Sequence, residues 1–362
     1  MRFVDEFHDP ALANSIARNI ADISTRPVQF MEFCGGHTHA ILRYGIRDML
    51  PATVSLRSGP GCPVCVTSAH DVDVAIAMAA LPNTIVATYG DLVRVPGTGG
   101  SLELARARGA DVRVVYSASD AVTLAHENPS RTVVLIGIGF ETTSPTVAAS
   151  ILKAEQMALD NFLVLPLLKV TPVIMTALLQ AGELKIDGII CPGHVSVITG
   201  TDIYNPIPER FGVGCVVTGF EPLDILRSVH LLVSQCEAGT PTVQNAYERA
   251  VPTEGNPVAR ELVVRVFSPC DAEWRGIGEV ALSGLRLNTR YKRYDAATAL
   301  GVEVERSEEP KGCRCGDILR GAATPEDCAL YGVVCTPARP VGPCMVSSEG
   351  ACAAHFAYRT DS

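Results

Sequence analysis

The segment Ser58-Gly59-Pro60-Gly61-Cys62-Pro63-Val64-Cys65 follows an apolar run, Ala52 to Leu56, that reads as a β-strand. Two glycines and two prolines shape the turn behind that strand. The turn presents two thiols three residues apart, a spacing at which both sulfurs can face one point. A Cys-x-x-Cys pair in a reducing compartment has two leading uses: soft thiolate ligands for iron or zinc, or a reversible dithiol. Upstream stands Phe33-Cys34-Gly35-Gly36-His37-Thr38-His39, and the last fifty residues hold six more cysteines.

From Pro27 onward strand-like runs alternate with helical patterns, which predicts an α/β protein with parallel sheets. A first set of strands is expected at Val28 to Phe33, Thr53 to Leu56, Thr84 to Thr88 and Val112 to Tyr116. A second set is expected at Val133 to Ile138, Phe162 to Leu168, Gly188 to Cys191 and Val213 to Val217, with helices such as Pro145 to Leu159 and Glu221 to Val233 between them. The sets correspond in type: one strand ends in Cys34-Gly35-Gly36-His37-Thr38 and its counterpart in Gly139-Phe140-Glu141-Thr142-Thr143-Ser144. We therefore expect two similar parallel-sheet α/β domains, residues 1–118 and 119–240. The alternative is one doubly wound domain of eight strands.

After about Ala238, Pro241, Pro252 and Pro257 break the pattern, and Trp274-Arg275-Gly276-Ile277-Gly278 and a short strand-like stretch lead into the cysteine cluster. Residues 241–362 are expected to form a smaller, cysteine-rich iron–sulfur domain. Ligands of open α/β sheets bind outside the carboxyl ends of the strands. Two domains facing each other would thus gather Cys34, His37, Cys62, Cys65, Glu141, Thr142 and His194 around one cleft.

The 362 residues are 47% apolar and 19% charged, an ordinary globular composition, and suit two or three domains at about 100 to 200 residues each. A net charge of −9 argues against the clustered Lys and Arg of a nucleic-acid footprint. Met1 to Ser24 places Phe3, Phe7, Leu12, Ile16, Ile20 and Ile23 at helical spacing beside Asp5, Glu6 and Asp9, which is an amphipathic packing helix rather than a secretory signal. No apolar run reaches the roughly 18 residues of a membrane span, so a cytoplasmic protein is expected. Thirteen cysteines there are unlikely to form a disulfide framework, which leaves metal and redox chemistry.

Cys313, Cys315, Cys328, Cys335, Cys344 and Cys352 are interleaved with Gly and Pro on loops too poor in apolar residues for a self-sufficient core. They argue for a metal-held module over cysteines buried as small hydrophobes. Zinc favours paired Cys-x-x-Cys knuckles, absent here; a Cys-x-Cys followed by single cysteines better suits an iron–sulfur cluster. Alternating side-chain direction makes it awkward for both Cys313 and Cys315 to bind one cluster, so four ligands plus two spare thiols is the economical division. His37, three residues after Cys34, could lower its pKa, accept a proton or serve as a ligand. His39 reads equally well as structural, and His194, in a Pro-Gly-His turn at a strand end, as functional or structural. Cys191, Cys215, Cys236 and Cys270 stand alone in apolar surroundings and suit burial. Gly137-Ile138-Gly139 lacks the full pattern and following Lys of a phosphate loop.

Six motifs in order, Cys34-Gly-Gly-His-Thr-His39, Gly59-Pro-Gly-Cys-Pro-Val-Cys65, Gly139-Phe-Glu-Thr-Thr-Ser-Pro145, Cys191-Pro-Gly-His-Val-Ser196, Cys313-Arg-Cys-Gly-Asp317 and Pro343-Cys-Met-Val-Ser-Ser-Glu-Gly-Ala-Cys352, resemble the HypD family of NiFe-hydrogenase maturation factors. The resemblance spans nearly the whole chain. It implies two α/β domains, a third with a 4Fe-4S cluster, and a complex with the small protein HypC. It further implies a scaffold on which the Fe(CN)2CO part of the hydrogenase active site is assembled, with cyanide from HypE after carbamoyl transfer by HypF. Carried over by position, Cys34, Cys62 and Cys65 take the iron-holding role, and the C-terminal cysteines take the cluster role. An Fe(II) centre accepting cyanide and carbon monoxide needs soft thiolates, open positions and shelter from water, which a cleft can supply. The expected division gives the cluster to Cys313, Cys328, Cys335 and Cys352, and makes Cys315 and Cys344 a dithiol that passes electrons toward Cys62 and Cys65, with His37, Glu141 and His194 in the cleft. The competing readings are an iron–sulfur thiol–disulfide oxidoreductase acting on a protein partner, and a metal-stabilised binding protein without redox chemistry.

Overall fold

A computed structural model of the chain describes residues 7–182, 185–305, 307 and 309–359. Strands form at all eight expected places: β1 Val28–Glu32, β2 Val54–Ser58, β3 Thr84–Thr88, β4 Asp111–Val114, β5 Thr132–Gly139, β6 Phe162–Lys169, β7 Gly188–Pro192 and β8 Gly214–Thr218. Three more, β9 Val243–Asn245, β10 Phe267–Trp274 and β11 Gly278–Leu287, complete two sheets. β3, β7 and β8 are buried at every position, as their unbroken apolar runs require of strands covered on both faces.

The first sheet runs β2-β1-β7-β8-β9, every pair parallel. The second runs β4-β3-β5-β6-β11-β10, parallel from β4 to β6, with β11 antiparallel to β6 and β10 antiparallel to β11. Both parallel portions have the same order: the second strand lies on one side of the first, and the chain then returns to the other side. The expected class, two similar parallel-sheet α/β units with a cysteine-rich third part, is the class the chain forms.

Sheet membership cuts across the division at 118 and 240. β1 and β2 pair with β7, β8 and β9, whereas β3 to β6 form the second sheet, so the second unit is inserted into the first between β2 and β7. Residues 267–287, assigned by sequence to the third segment, form the antiparallel edge of the second sheet. Periodicity and composition report that a run is a strand; they carry no information about which strand lies beside it.

Alternation along each strand divides the core into three. Phe30 and Ile190 face outward from the first sheet into a cluster under the helices Pro10–Ile23 and Pro222–Ala238. Ile85, Val133 and Leu135 do the same from the second sheet, under Ala118–Glu127 and Ser144–Gln156. The opposite faces of both sheets, with Met31, Val86, Ile136 and Ile189, enter one shared cluster that also takes in Cys62, Cys65, Cys315, Cys344 and Cys352. The cysteine-rich part is thus built onto the core between the sheets.

The first helix starts at Pro10 because Asp9 Oδ1 accepts the N–H groups of Ala11 and Leu12 and proline suits the first helical position. It buries Ala13, Ala17 and Ile20. The expected extension over Met1 to Glu6, with Phe3, lies outside the described residues. At the other end, the helix Ala351–Tyr358 packs on Gly35–Arg43, where the Tyr358 hydroxyl lies 2.9 Å from His39 Nε2. Among the described residues no helix is long and apolar enough to cross a membrane.

We expect Phe30→Ala to cost about 3–5 kcal/mol of unfolding free energy, since Phe30 is fully buried in the first sheet. Leu12→Ala, at a side of the first helix 47% exposed, should stay within about 0.5 kcal/mol. Urea unfolding of the two variants checks the contrast.

Candidate functional site

The strand order of the first sheet reverses between β1 and β7, and a crevice opens at such a switch point outside the carboxyl ends of the strands. Cys34 leaves β1 as the residue before the helix Gly35–Arg43, and His194 lies in the helix Gly193–Thr199 that follows β7. Their side chains meet, with Cys34 Sγ 3.7 Å from His194 Nδ1. A cleft of about 430 Å³ lies over them, lined by Cys34, His39, Arg43, His194, Phe220 and Glu349 among others. Burial, followed by the charge of Glu349, pushes the Cys34 thiol well up, and burial lowers His194 to about 4.

His37 does not face the Cys34 thiol, contrary to expectation. Its Nε2 lies 3.0 Å from the Gly219 carbonyl, so it donates there, and its ring stacks on Phe220 at 4.7 Å. Burial, then His194, lowers it to about 3, and its buried Nδ1 has no partner. The imidazole beside the thiol is therefore that of His194. Glu141 is also held elsewhere: its two carboxylate oxygens accept the Thr171 N–H at 2.7 Å and hydroxyl at 2.8 Å, tying β5 to the helix after β6.

The Gly59–Cys65 turn lies directly on this site. A Cβ at Gly61 would fall 2.2 Å from the Cys34 nitrogen, so only glycine permits the approach. Cys62 caps the short helix Pro63–Val66 and Cys65 lies within it, with sulfurs 2.7 Å apart, and both are unbridged. Burial pushes Cys62 up. Burial also works to raise Cys65, but hydrogen bonds with Cys344 and Cys62 prevail and bring it down to about 5.

Cys344 stands at a junction. Its sulfur lies 2.8 Å from that of Cys315, and contacts with Cys315, Cys352 and Cys65 push its pKa up. The expected dithiol partners are thus adjacent, and one of them touches the Cys62/Cys65 pair. All six C-terminal cysteines line one further pocket, closed by Ile318, Leu330, Tyr331 and Met345 with no carboxylate or imidazole in its wall. Among the described residues no three His, Cys, Asp or Glu side chains converge on one point as for a single ion. Six thiols among apolar and aromatic side chains suit an iron–sulfur cluster in their donor chemistry.

Two acids escaped the sequence reading. Glu32 is fully buried, accepts the Cys34 N–H at 3.1 Å and the Thr38 hydroxyl, and is raised by burial to about 8. Its signal was a lone carboxylate in the apolar run Val28 to Phe33. Glu349, in the last motif, lines the Cys34 cleft, and burial, followed by the charges of Cys65 and Asp91, raises it.

The family model HypD, described as "Hydrogenase formation hypA family", matches residues 11–359. The chain is 47% identical to the hydrogenase maturation factor HypD of Azotobacter vinelandii, over 99% of this chain and 97% of that protein. It is 46% identical to that of Rhizobium leguminosarum bv. viciae, over 99% and 96%, and 43% identical to that of Escherichia coli (strain K12), over 99% and 98%.

His37 and His194 are neutral in the fold but gain protons in the unfolded chain below the ordinary 6.5. Their contribution to stability is complete above pH 6.5 and is lost as pH falls toward about 4 for His194 and about 3 for His37. We expect the urea midpoint to fall across that window, with a shallower slope in His37→Gln; equal slopes would contradict the assignment.

Proposed function

The chain belongs to the HypD family of hydrogenase maturation factors, and from that premise we propose that it is the cytoplasmic scaffold which, with HypC, holds iron while the Fe(CN)2CO unit is assembled. HypE then acts as the cyanide donor, with HypF upstream. The observation that carries this reading is the continuity of thiols. Cys34 opens on the cleft, the Cys62/Cys65 turn packs on the Cys34 backbone, and Cys65 contacts Cys344, which pairs with Cys315 at the wall of the six-cysteine pocket.

In this reading iron is the cargo, and Cys34, Cys62 and Cys65, which do not converge on one point in the structure described, close on it as it binds. Cys65 suits the task because its neighbours keep it as thiolate at neutral pH. Neutral His194 lies beside Cys34, its Nδ1 3.7 Å from the sulfur, and the thiol's proton is displaced by the metal itself when the sulfur ligates. Glu349 at the rim adds a carboxyl whose pKa burial raises. The apolar wall excludes water from the ligands being attached.

Cys313, Cys328, Cys335 and Cys352 would hold a 4Fe-4S cluster, which supplies single electrons when bound. The chain's own thiols carry a two-electron step. Cys344 attacks a Cys62–Cys65 disulfide at Cys65, forming the Cys344–Cys65 bond as Cys62 leaves and takes up the Cys344 proton. Cys315 then closes on Cys344 and frees Cys65, so two electrons and two protons pass from one pair to the other. The freed thiols are available to iron, which displaces their protons on ligation.

A thiol–disulfide oxidoreductase is the second reading, favoured by the 2.7 Å approach of Cys62 and Cys65. Iron content separates the two. We expect the chain purified anaerobically with HypC to carry iron beyond the four atoms of a cluster, with infrared bands of cyanide and carbon monoxide; a reductase would carry neither. Cys62→Ser should abolish hydrogenase maturation, whereas a passive metal-stabilised binding protein would tolerate it. Cys313→Ser should remove the brown cluster absorbance while Cys315→Ser retains it, and the reverse result would overturn the division of the six cysteines.

A further inference from the structure

The β10–β11 turn, Trp274-Arg275-Gly276-Ile277-Gly278, is not used in the chemistry above, yet it touches the backbone segments that carry both thiol pairs. Its base is fixed in the second sheet: Trp274 is fully buried, its indole N–H donates to Ser283 Oγ at 2.7 Å, and the Lys169 ammonium lies 6.0 Å from its ring centre. On one side the turn joins the Cys62/Cys65 segment. Thr67 and Trp274 form an antiparallel bridge, and the Arg275 N–H donates to the carbonyl of Val66, the residue after Cys65, at 2.8 Å.

The Arg275 side chain is 1% exposed and extends the same attachment. It donates from Nε to Thr67 O at 2.8 Å, from Nη2 to Pro96 O at 3.3 Å, and from Nη1 to Glu309 at 3.0 Å. Such a rigid, fully engaged fork is a structural pin that Lys cannot reproduce. On the other side the turn meets Gly316, the residue after Cys315 in the helix Cys315–Leu319. Gly276 has φ +68°, and a Cβ there would fall 2.1 Å from Gly316 Cα; a Cβ on Gly316 would fall 2.7 Å from Gly276 Cα. The backbones touch because neither residue has a side chain.

The turn is therefore tied one residue beyond Cys65 on one face and pressed one residue beyond Cys315 on the other. We propose that it is the spacer that sets the distance between the two thiol pairs, with Arg275, Gly276 and Gly316 as positioning residues for exchange between Cys65 and Cys344. The inference rests on the exchange reading given above. Thiol exchange requires in-line approach of three sulfurs, so a displacement of about 1 Å suffices to slow it by roughly one to two orders of magnitude. Gly316 is helical, and alanine there improves helix propensity, so its only penalty is the contact with Gly276.

The test uses the full chain carrying Cys62→Ser and Cys315→Ser, which leaves Cys65 and Cys344 to pair. Diamide takes up the two electrons and two protons released as the Cys65–Cys344 bond forms, and peptide mass spectrometry times that bond. We expect rapid linkage in this background, a fall in rate of at least about tenfold on adding Gly316→Ala, and a fall on adding Arg275→Lys, with the reduced Gly316→Ala protein still folded by circular dichroism under the assay conditions. Equal linkage rates with and without Gly316→Ala and Arg275→Lys would overturn the spacer. Absence of the linkage even with both glycines and Arg275 intact would instead overturn the exchange reading on which the spacer rests.

Discussion

The constraint on which the site depends is that β1 must be paired on both sides, by β2 at once and by β7 only after the whole inserted unit has been traversed. Parallel pairing brings equivalent ends of these strands to one edge. The residues that follow β1, β2 and β7 are Cys34, the Gly59–Cys65 turn and His194, so the register of one strand brings together groups far apart in sequence. Glycine at 61 then lets the second of these segments lie on the backbone of the first. Without the central position of β1 the thiols would be distributed over two separate sheets.

A second constraint is desolvation. Cys34, Cys62, His37, His194, Glu32 and Glu349 are all driven toward their neutral forms by burial, an unusual concentration of uncharged titratable groups. Cys65 departs from this because other thiols, not a fixed cation, are its first stabilisers. A site of this kind stores protons rather than charge, which suits sulfurs that must ionise only when an ion or another sulfur arrives to take their lone pairs.

Much of this was legible in the chain. Runs such as Val133 to Ile138 are too apolar and too short for anything but buried parallel strands, and the turn Gly59–Cys65 declares itself by residues that tolerate few other conformations. Counting ligands against cysteines left two spare thiols without saying which; Cys315 and Cys344, assigned with the family resemblance, lie side by side. Strand partnership was not legible, because the two sets of four strands have the same period and composition and differ only in which neighbours they meet. Nor were the roles of His37 and His194: both follow a strand end after a glycine, and only the position of Phe220 and the Gly219 carbonyl turns one ring away from the thiol. Arg275 gave no sign of its burial, since its three carbonyl and carboxylate partners come from three other loops.

The nesting of one unit within the other has a consequence during synthesis. β1 and β2 leave the ribosome as a two-stranded fragment whose inner edge has no neighbour until residue 188 and beyond have emerged. At ordinary elongation speeds this interval lasts roughly ten to twenty seconds, longer than most small domains need to fold. The inserted parallel strands are complete first and can fold while Cys34, Cys62 and Cys65 are still open to solvent. The nascent polypeptide thus passes through a stage in which these three thiols are accessible to any thiol reagent or stray metal, and the return of β7 is the event that seals them.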